Sequence, residues 1–219
     1  MEALPARVSP ASAPGADTAE VIRRSALKLF AHEGYEATSM REIAAAVGIQ
    51  AGSLYNHFSS KEEILWDLTR GALLDLREHI DTALARLPAD TSASAKLSSF
   101  IDAHVRFHAL NSERARIVNQ QMSGLNRNHY REIVGLRRTF EEQLAGILDD
   151  GVREGSFSLV DSRLSVYAIL QMCIAVSNWF RKGGGLSVDE VATTYVALAH
   201  RMVIGSPAPV RRRRSGGTS

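Results

Sequence analysis

The stretch Ser39-Met40-Arg41-Glu42-Ile43-Ala44-Ala45-Ala46-Val47-Gly48-Ile49-Gln50-Ala51-Gly52-Ser53-Leu54-Tyr55-Asn56-His57-Phe58 narrows the possible folds more than any other part of the chain. Ser39 followed by Glu42 is a capping-box spacing, so a helix begins there. Ile43, Ala44 and Val47 then share one face, suited to packing on a neighbour. Gly48 follows the last apolar position, where a left-handed residue ends a helix without strain. Ile49 can plug the corner, and Leu54 and Phe58, four apart, give the next short helix a buried face. Two short helices around a tight corner containing Gly form a helix-turn-helix. Ser60 and Glu63 repeat the capping-box spacing and open a long helix with Lys61 in its first turn.

The outer face of the second short helix carries groups that suit a DNA groove. Ala51, Gly52 and Ser53 are small and allow the backbone to approach base edges. Gln50 has the amide pair that reads an adenine edge, and the Ala51 methyl suits a thymine methyl. Tyr55 and His57 have the reach for phosphates, which fix register without reading sequence. Lys61 and the free amides at the next helix start add charge and dipole for another phosphate.

The spaced string Ala26, Leu29-Phe30-Ala31, Gly34-Tyr35, Thr38-Ser39, Ile43-Ala44, Gly48, Gly52-Ser53-Leu54-Tyr55, His57-Phe58 and Ser60-Lys61-Glu62-Glu63 resembles the N-terminal domain of TetR-type bacterial transcriptional regulators. The resemblance runs from about Ala19 to Leu68, roughly a quarter of the chain. It implies phosphate contacts from Thr38, Tyr55, His57 and Lys61. It implies base reading by Arg41, Gln50, Ala51 and Ser53, with Ser39 and Gly52 on the same surface. Repression as the outcome is implied by the resemblance alone.

A chain of 219 residues, 45% hydrophobic, can bury a core in one or two domains. The net charge of +2 includes four arginines at Arg211 to Arg214; the other 22 basic residues face 24 acidic ones, a balance of −2. Attraction to DNA must therefore come from local placement of charge. The single Cys173 excludes an internal disulfide and a cysteine-rich zinc site, and fits a reducing, cytoplasmic setting. No apolar stretch follows a charged N-terminus, so no export signal is expected. The longest apolar run, Leu164 to Phe180, is broken by Ser165, Gln171, Ser177 and Asn178. A membrane span needs about 20 predominantly apolar residues, so this run reads as a buried helix.

The expected organisation is a disordered arm at 1–17, a DNA-binding domain at 18–66, a helical ligand-binding and dimerisation domain at 67–205, and a flexible basic tail at 206–219. A first helix is expected from about Thr18 to His32, with Ile22, Ala26, Leu29 and Phe30 inward. The helix opening at Ser60 should run to about Leu87, its stripe made of Leu65, Leu68, Ala72, Leu76, Ile80, Ala83 and Leu87. It would then link the two domains as a lever. Further helices are expected at about 95–110, 112–123, 127–153, 161–182 and 187–204. No sustained period-2 run or hairpin signal appears, and Asp149-Asp150-Gly151 reads as a tolerated late-helix glycine. The fold class is all-α.

The last two helices predict a homodimer. The 161–182 helix has Val166, Ile169, Leu170, Cys173 and Ile174 on one side and Tyr167, Met172 and Val176 elsewhere, so it is apolar on several faces. Such a helix is buried against more than one layer. The 187–204 helix repeats Val188, Val191, Ala192, Tyr195, Val196, Ala199, Met202 and Val203 as a second broad stripe. Pairing through these helices would present two recognition helices about one turn of DNA apart, matching a palindromic operator. TetR-type proteins likewise pair through their last two helices.

Ligand contacts are harder to read, because core and pocket linings look alike in sequence. Phe107, Val118, Asn119, Met122, Tyr130, Gln171, Met172 and Trp179 suit a mostly apolar effector with a polar anchor. The segment Asn178-Trp179-Phe180-Arg181-Lys182-Gly183-Gly184-Gly185 resembles the Trp-aromatic-Arg-Pro-Gly-Gly stretch of a TetR branch linked to acyl-CoA and lipid-catabolism control. Here Lys182 replaces the Pro, and Asn178 stands where some relatives carry Arg. That resemblance adds Arg181 and implies an acyl-CoA effector; another hydrophobic small molecule, or none, are the alternatives.

Other signals point elsewhere. His104 and His108 have the i, i+4 spacing of two zinc ligands, but no Glu follows His104 and no third ligand is evident. The triple glycine at 183–185 follows a helix and lacks a phosphate-loop ending. No nucleophile elbow occurs. No cofactor is therefore expected, and an all-α enzyme or helical interaction protein is the rival class. Arg211 to Arg214 would either add salt-sensitive DNA affinity or form an inert solubilising end.

Overall fold

A computed structural model of the chain describes residues 18–204, and every regular element among them is helical. The expectations for the arm at 1–17 and the arginine tail at 206–219 lie outside the described residues. The chain divides into two compact units, with the boundary between Ile64 and Leu65.

The first unit contains α1 (Thr18–His32), α2 (Met40–Val47), α3 (Ala51–Tyr55) and the opening turn of α4 (Lys61–Ala85). Its interior is Ile22, Ala26 and Phe30 from α1, Met40, Ile43 and Ala44 from α2, then Leu54, Phe58 and Ile64. The edge of the Phe30 ring meets Tyr35, with centroids 5.1 Å apart. Burying one Leu or Phe side chain is worth about 1.5–3 kcal/mol, so this small core depends on each member.

The second unit holds the rest of α4, α5 (Ala93–Leu110), α6 (Ser112–Gln120), a 3-10 turn (Met122–Gly124), α7 (Arg127–Arg153), α8 (Ser162–Trp179) and α9 (Val188–Ile204). Helix α5 is central and packs against α7, α8 and α9. Leu97, Phe100, Ile101 and Val105 on α5 are wholly buried. Polar caps open the helices around it. Ser92 accepts from the Ala95 amide, Asn126 from those of Asn128 and His129, and Asp161 from that of Leu164. Ser187 and Glu190 form a reciprocal box before α9. Each such cap is worth about 1 kcal/mol.

Several boundaries differ from expectation for local reasons. Helix α4 ends at Ala85, before Leu87 and Pro88, because the residue ahead of a proline is pushed out of helical geometry. The helix expected at 112–123 breaks at Gln120 into the 3-10 turn. Helix α8 stops at Trp179 because Phe180 turns extended, at φ −63° and ψ 136°, and buries its ring. Val176, assigned above to a separate face, is fully buried in the same core as Cys173. Gly151 is obligatory where tolerance was expected, since a Cβ there would lie 2.0 Å from the Phe157 ring.

Candidate nucleic-acid interface and ligand cavity

The corner is built as its sequence dictates. Ser39 Oγ accepts from the Glu42 amide at 3.3 Å, and the Ser39 amide donates to Glu42 Oε2 at 2.7 Å. The Ser39 amide, and next the Ser39 hydroxyl, hold the Glu42 carboxyl below its ordinary pKa, with Lys61 adding a smaller pull. Gly48 takes φ +79°, and its amide returns to the Ala44 and Ala45 carbonyls. The next amide, Ile49, also bonds the Ala44 carbonyl at 3.0 Å, which turns the chain sharply into α3. At the start of α4 the second box is displaced by one residue. Ser60 Oγ accepts from the Glu63 amide, but the Glu63 carboxylate takes both the amide and hydroxyl of Ser59.

This frame leaves one face of α3 outward. Leu54 is fully buried while Gln50, Gly52, Ser53, Tyr55 and His57 are exposed, and Ala51 is half-buried. Gln50 caps α3 with its backbone only, so its side-chain amide is free. Arg41 on α2 is exposed, and it too has no hydrogen-bond or ion-pair partner among the described residues.

Two expected phosphate contacts are placed differently. Thr38 is buried, and its hydroxyl donates to the Gly34 carbonyl at 2.8 Å. Its amide bonds the Tyr35 carbonyl, so Thr38 closes the loop between α1 and α2 and presents no free donor. Lys61 Nζ donates to the carbonyls of Tyr35 at 2.7 Å and Glu36 at 3.2 Å, and lies 4.4 Å from the centre of the Tyr35 ring. An ammonium has three donors, so Lys61 keeps one N–H for an outside acceptor. Burial, then Glu36 and Glu62, raises the Tyr35 hydroxyl to about 12, leaving it neutral beside the lysine.

In the second unit, five helices enclose a cavity of about 110 Å3. Leu73 and Leu76 of α4, Phe140 of α7, and Leu170 and Ile174 of α8 make it greasy. His104 and His108 of α5, Asn119 of α6, Arg137 and Glu141 of α7, and Tyr167 and Gln171 of α8 make it polar on one side. The two histidine rings stack nearly parallel, 4.6 Å apart. Burial holds both below the ordinary histidine pKa, His108 at about 4, so both are neutral near pH 7. His108 Nδ1 donates to the His104 carbonyl at 3.0 Å, leaving Nε2 as an acceptor.

Of the expected ligand contacts, the cavity gathers Asn119 and Gln171. Phe107 and Val118 are buried in packing, and Met122 and Met172 pack on the core's edge. Tyr130 is exposed. Trp179 is also exposed, lying beside Tyr195 with centroids 6.3 Å apart. Arg181 folds back to donate to the Asn178 and Phe180 carbonyls, closing the end of α8.

A family model described as bacterial regulatory proteins, tetR family, matches residues 22–68, and one described as the tetracyclin repressor-like C-terminal domain matches residues 90–203. The chain belongs to the TetR family. Members of that family are DNA-binding regulators, which weighs against the enzyme alternative. Over 79% of its length the chain is 32% identical to the HTH-type transcriptional repressor KstR2 of Rhodococcus jostii, covering 84% of that protein. A crystal structure of a tetR-family regulatory protein from Rhodococcus RHA1 superposes with a TM-score of 0.81 at 31% identity, covering 86% of this chain and 97% of that one. The ketosteroid transcriptional regulator KstR2 of Mycobacterium tuberculosis gives 0.77 at 25% identity, covering 90% and 99%.

Within the TetR frame, Arg137, Glu141, Tyr167 and the histidine pair are the polar cavity residues not expected from sequence as ligand contacts. Arg137 carried a usable signal. It falls in register with Ile133, Phe140, Leu144 and Leu148, the buried stripe of α7, where a charge is out of place. No such signal marks the cavity's apolar walls, which share their residue types with the core.

Proposed function

We propose that this protein is a ligand-released transcriptional repressor that binds a palindromic operator as a homodimer. The observation that carries the reading is the capped corner with α3 outward, where Gln50, Ser53, Tyr55 and His57 are exposed. Gln50 and Arg41 would read base edges, Ala51 a thymine methyl, and Ser53 a donor or acceptor on a base edge, while Gly52 admits the close approach. Tyr55, His57, the Ser39 hydroxyl and the spare Lys61 N–H would hold phosphates. Thr38 is assigned to loop closure. Residues 18–66 would form the DNA-binding part and 67–205 the ligand-binding and pairing part. The setting is the cytoplasm, where bacterial DNA resides.

Pairing would use α8 and α9, which leave Leu164, Tyr167, Trp179, Leu198 and Met202 exposed on helices that also face the core. Apolar area of this kind suits a partner surface. Kinship with a protein named a transcriptional repressor supports repression as the outcome. The effector would be a small, mostly apolar molecule, with acyl-CoA as one candidate class on the Trp179-Phe180-Arg181 segment. Ligand seated among the helices of the second unit would bias α4, which continues from the DNA-binding part. A coupling of about 1–3 kcal/mol would weaken operator binding about 5–150-fold. Sequencing of duplexes selected from a random pool by the purified protein tests this reading. Enrichment of a palindrome supports it; a flat pool overturns it.

A further inference from the structure

The polar wall of the cavity holds a cation with no ion-pair partner among the described residues. Arg137 is half-buried, and its hydrogen bonds leave from Nη2, to the Val118 carbonyl at 3.0 Å and Asn119 Oδ1 at 3.1 Å. Both acceptors are neutral. Nε and Nη1 have no hydrogen-bond partner among the described residues. Glu141 lines the same cavity but makes no ion pair with Arg137 within 4.0 Å. A second, independent observation concerns His104, which lines the same cavity. His104 is 2% exposed, and its Nδ1 is buried without a hydrogen-bond partner. A buried polar nitrogen left unpaired is destabilising, and an incoming polar group would relieve it.

We propose that this cavity takes a compact organic acid, an apolar body bearing one carboxylate, with Arg137 as the anion anchor and His104 facing a polar atom of the same ligand. The inference rests on the reading that the second unit holds the effector, and deepens it by naming the ligand's chemistry. With Nη2 held by Val118 and Asn119, the Nε–H and the Nη1 hydrogens remain as single donors on a group that stays charged, which suits a carboxylate oxygen at either position. Leu73, Leu76, Leu170 and Ile174 supply the apolar seat. At about 110 Å3 the space is smaller than a drug-sized pocket and close to one that admits benzene. The acid is therefore a single ring or a short chain.

Calorimetry on the full chain at pH 7.5 tests this with cyclohexanecarboxylate, benzoate and hexanoate, each paired with its primary amide. At least one acid should bind tenfold or more tightly than its amide. Arg137→Met should erase that preference, and Arg137→Lys, which keeps the charge but not the planar set of donors, should retain part of it. Circular-dichroism melts identify variants that fail to fold, and the acid-to-amide ratio in the unaltered protein stands without them. Equal binding of acid and amide, no acid binding at millimolar concentration, or unchanged acid affinity in a folded Arg137→Met would each overturn the anchor. Operator affinity is measured in parallel. Acid bound through Arg137 without any effect on the operator would leave the anchor standing and sink ligand release. Operator binding with no acid bound would do the reverse.

Discussion

Thr38 and His108 show how far a side chain's role depends on where the fold turns it. Thr38 spends its hydroxyl on the Gly34 carbonyl inside the first unit, so Thr38→Val should cost about 1 kcal/mol of stability. Thermal melts and operator titration would check this, with affinity changing less than threefold for the folded variant. His108 and His104 are kept neutral by burial, while an unfolded chain protonates them below about pH 6.5. The unfolded state therefore binds more protons as pH falls, and stability should drop between about pH 6.5 and 4. For His108 alone, a shift from 6.5 to about 4 corresponds to roughly 3 kcal/mol at most. Urea titrations across that range should show the decline, and His108→Gln should make it shallower while His104 keeps its share. A stability curve level from pH 7 to 4.5 would contradict the buried, neutral pair.

At the scale of elements, local chemistry was mostly legible in the sequence. Ser39, Glu42 and Gly48 fix α2 through bonds spanning four residues or fewer, so spacing alone located both ends. The long helices followed from apolar stripes for the same reason. Positions decided by distant neighbours were not legible. Gly151 looked like a tolerated glycine, and only the Phe157 ring six residues on makes it necessary. Gly151→Ala should therefore cost at least about 1–3 kcal/mol, beyond any gain in helix propensity. A melting temperature equal to or above the parent's would refute that packing. The cavity lies at the far end of this spectrum, joining residues from Leu73 to Ile174 that no local pattern connects. Asn119 and Gln171 were found by residue type; Arg137 needed the observation that a charge interrupts the α7 stripe.

For the whole molecule, reading a palindrome requires two copies. Leu198 and Met202 are 41% and 39% exposed on α9, more than apolar residues in a well-packed end helix need to be. A charge there would be buried unpaired in a dimer but solvated in a monomer. Leu198→Glu should thus yield a folded monomer by analytical ultracentrifugation, with operator affinity reduced at least tenfold. A variant that stays dimeric would move the interface elsewhere. Fluorescence anisotropy on the selected duplex, comparing the parent chain with Tyr55→Ala, tests whether α3 meets DNA. Two subunits should bind each duplex, about a thousandfold more tightly than random sequence. Tyr55→Ala should lose at least tenfold of that affinity at an unchanged melting temperature. Equal affinity for selected and random duplexes, or full binding by the folded variant, would contradict the assignment of this face to DNA.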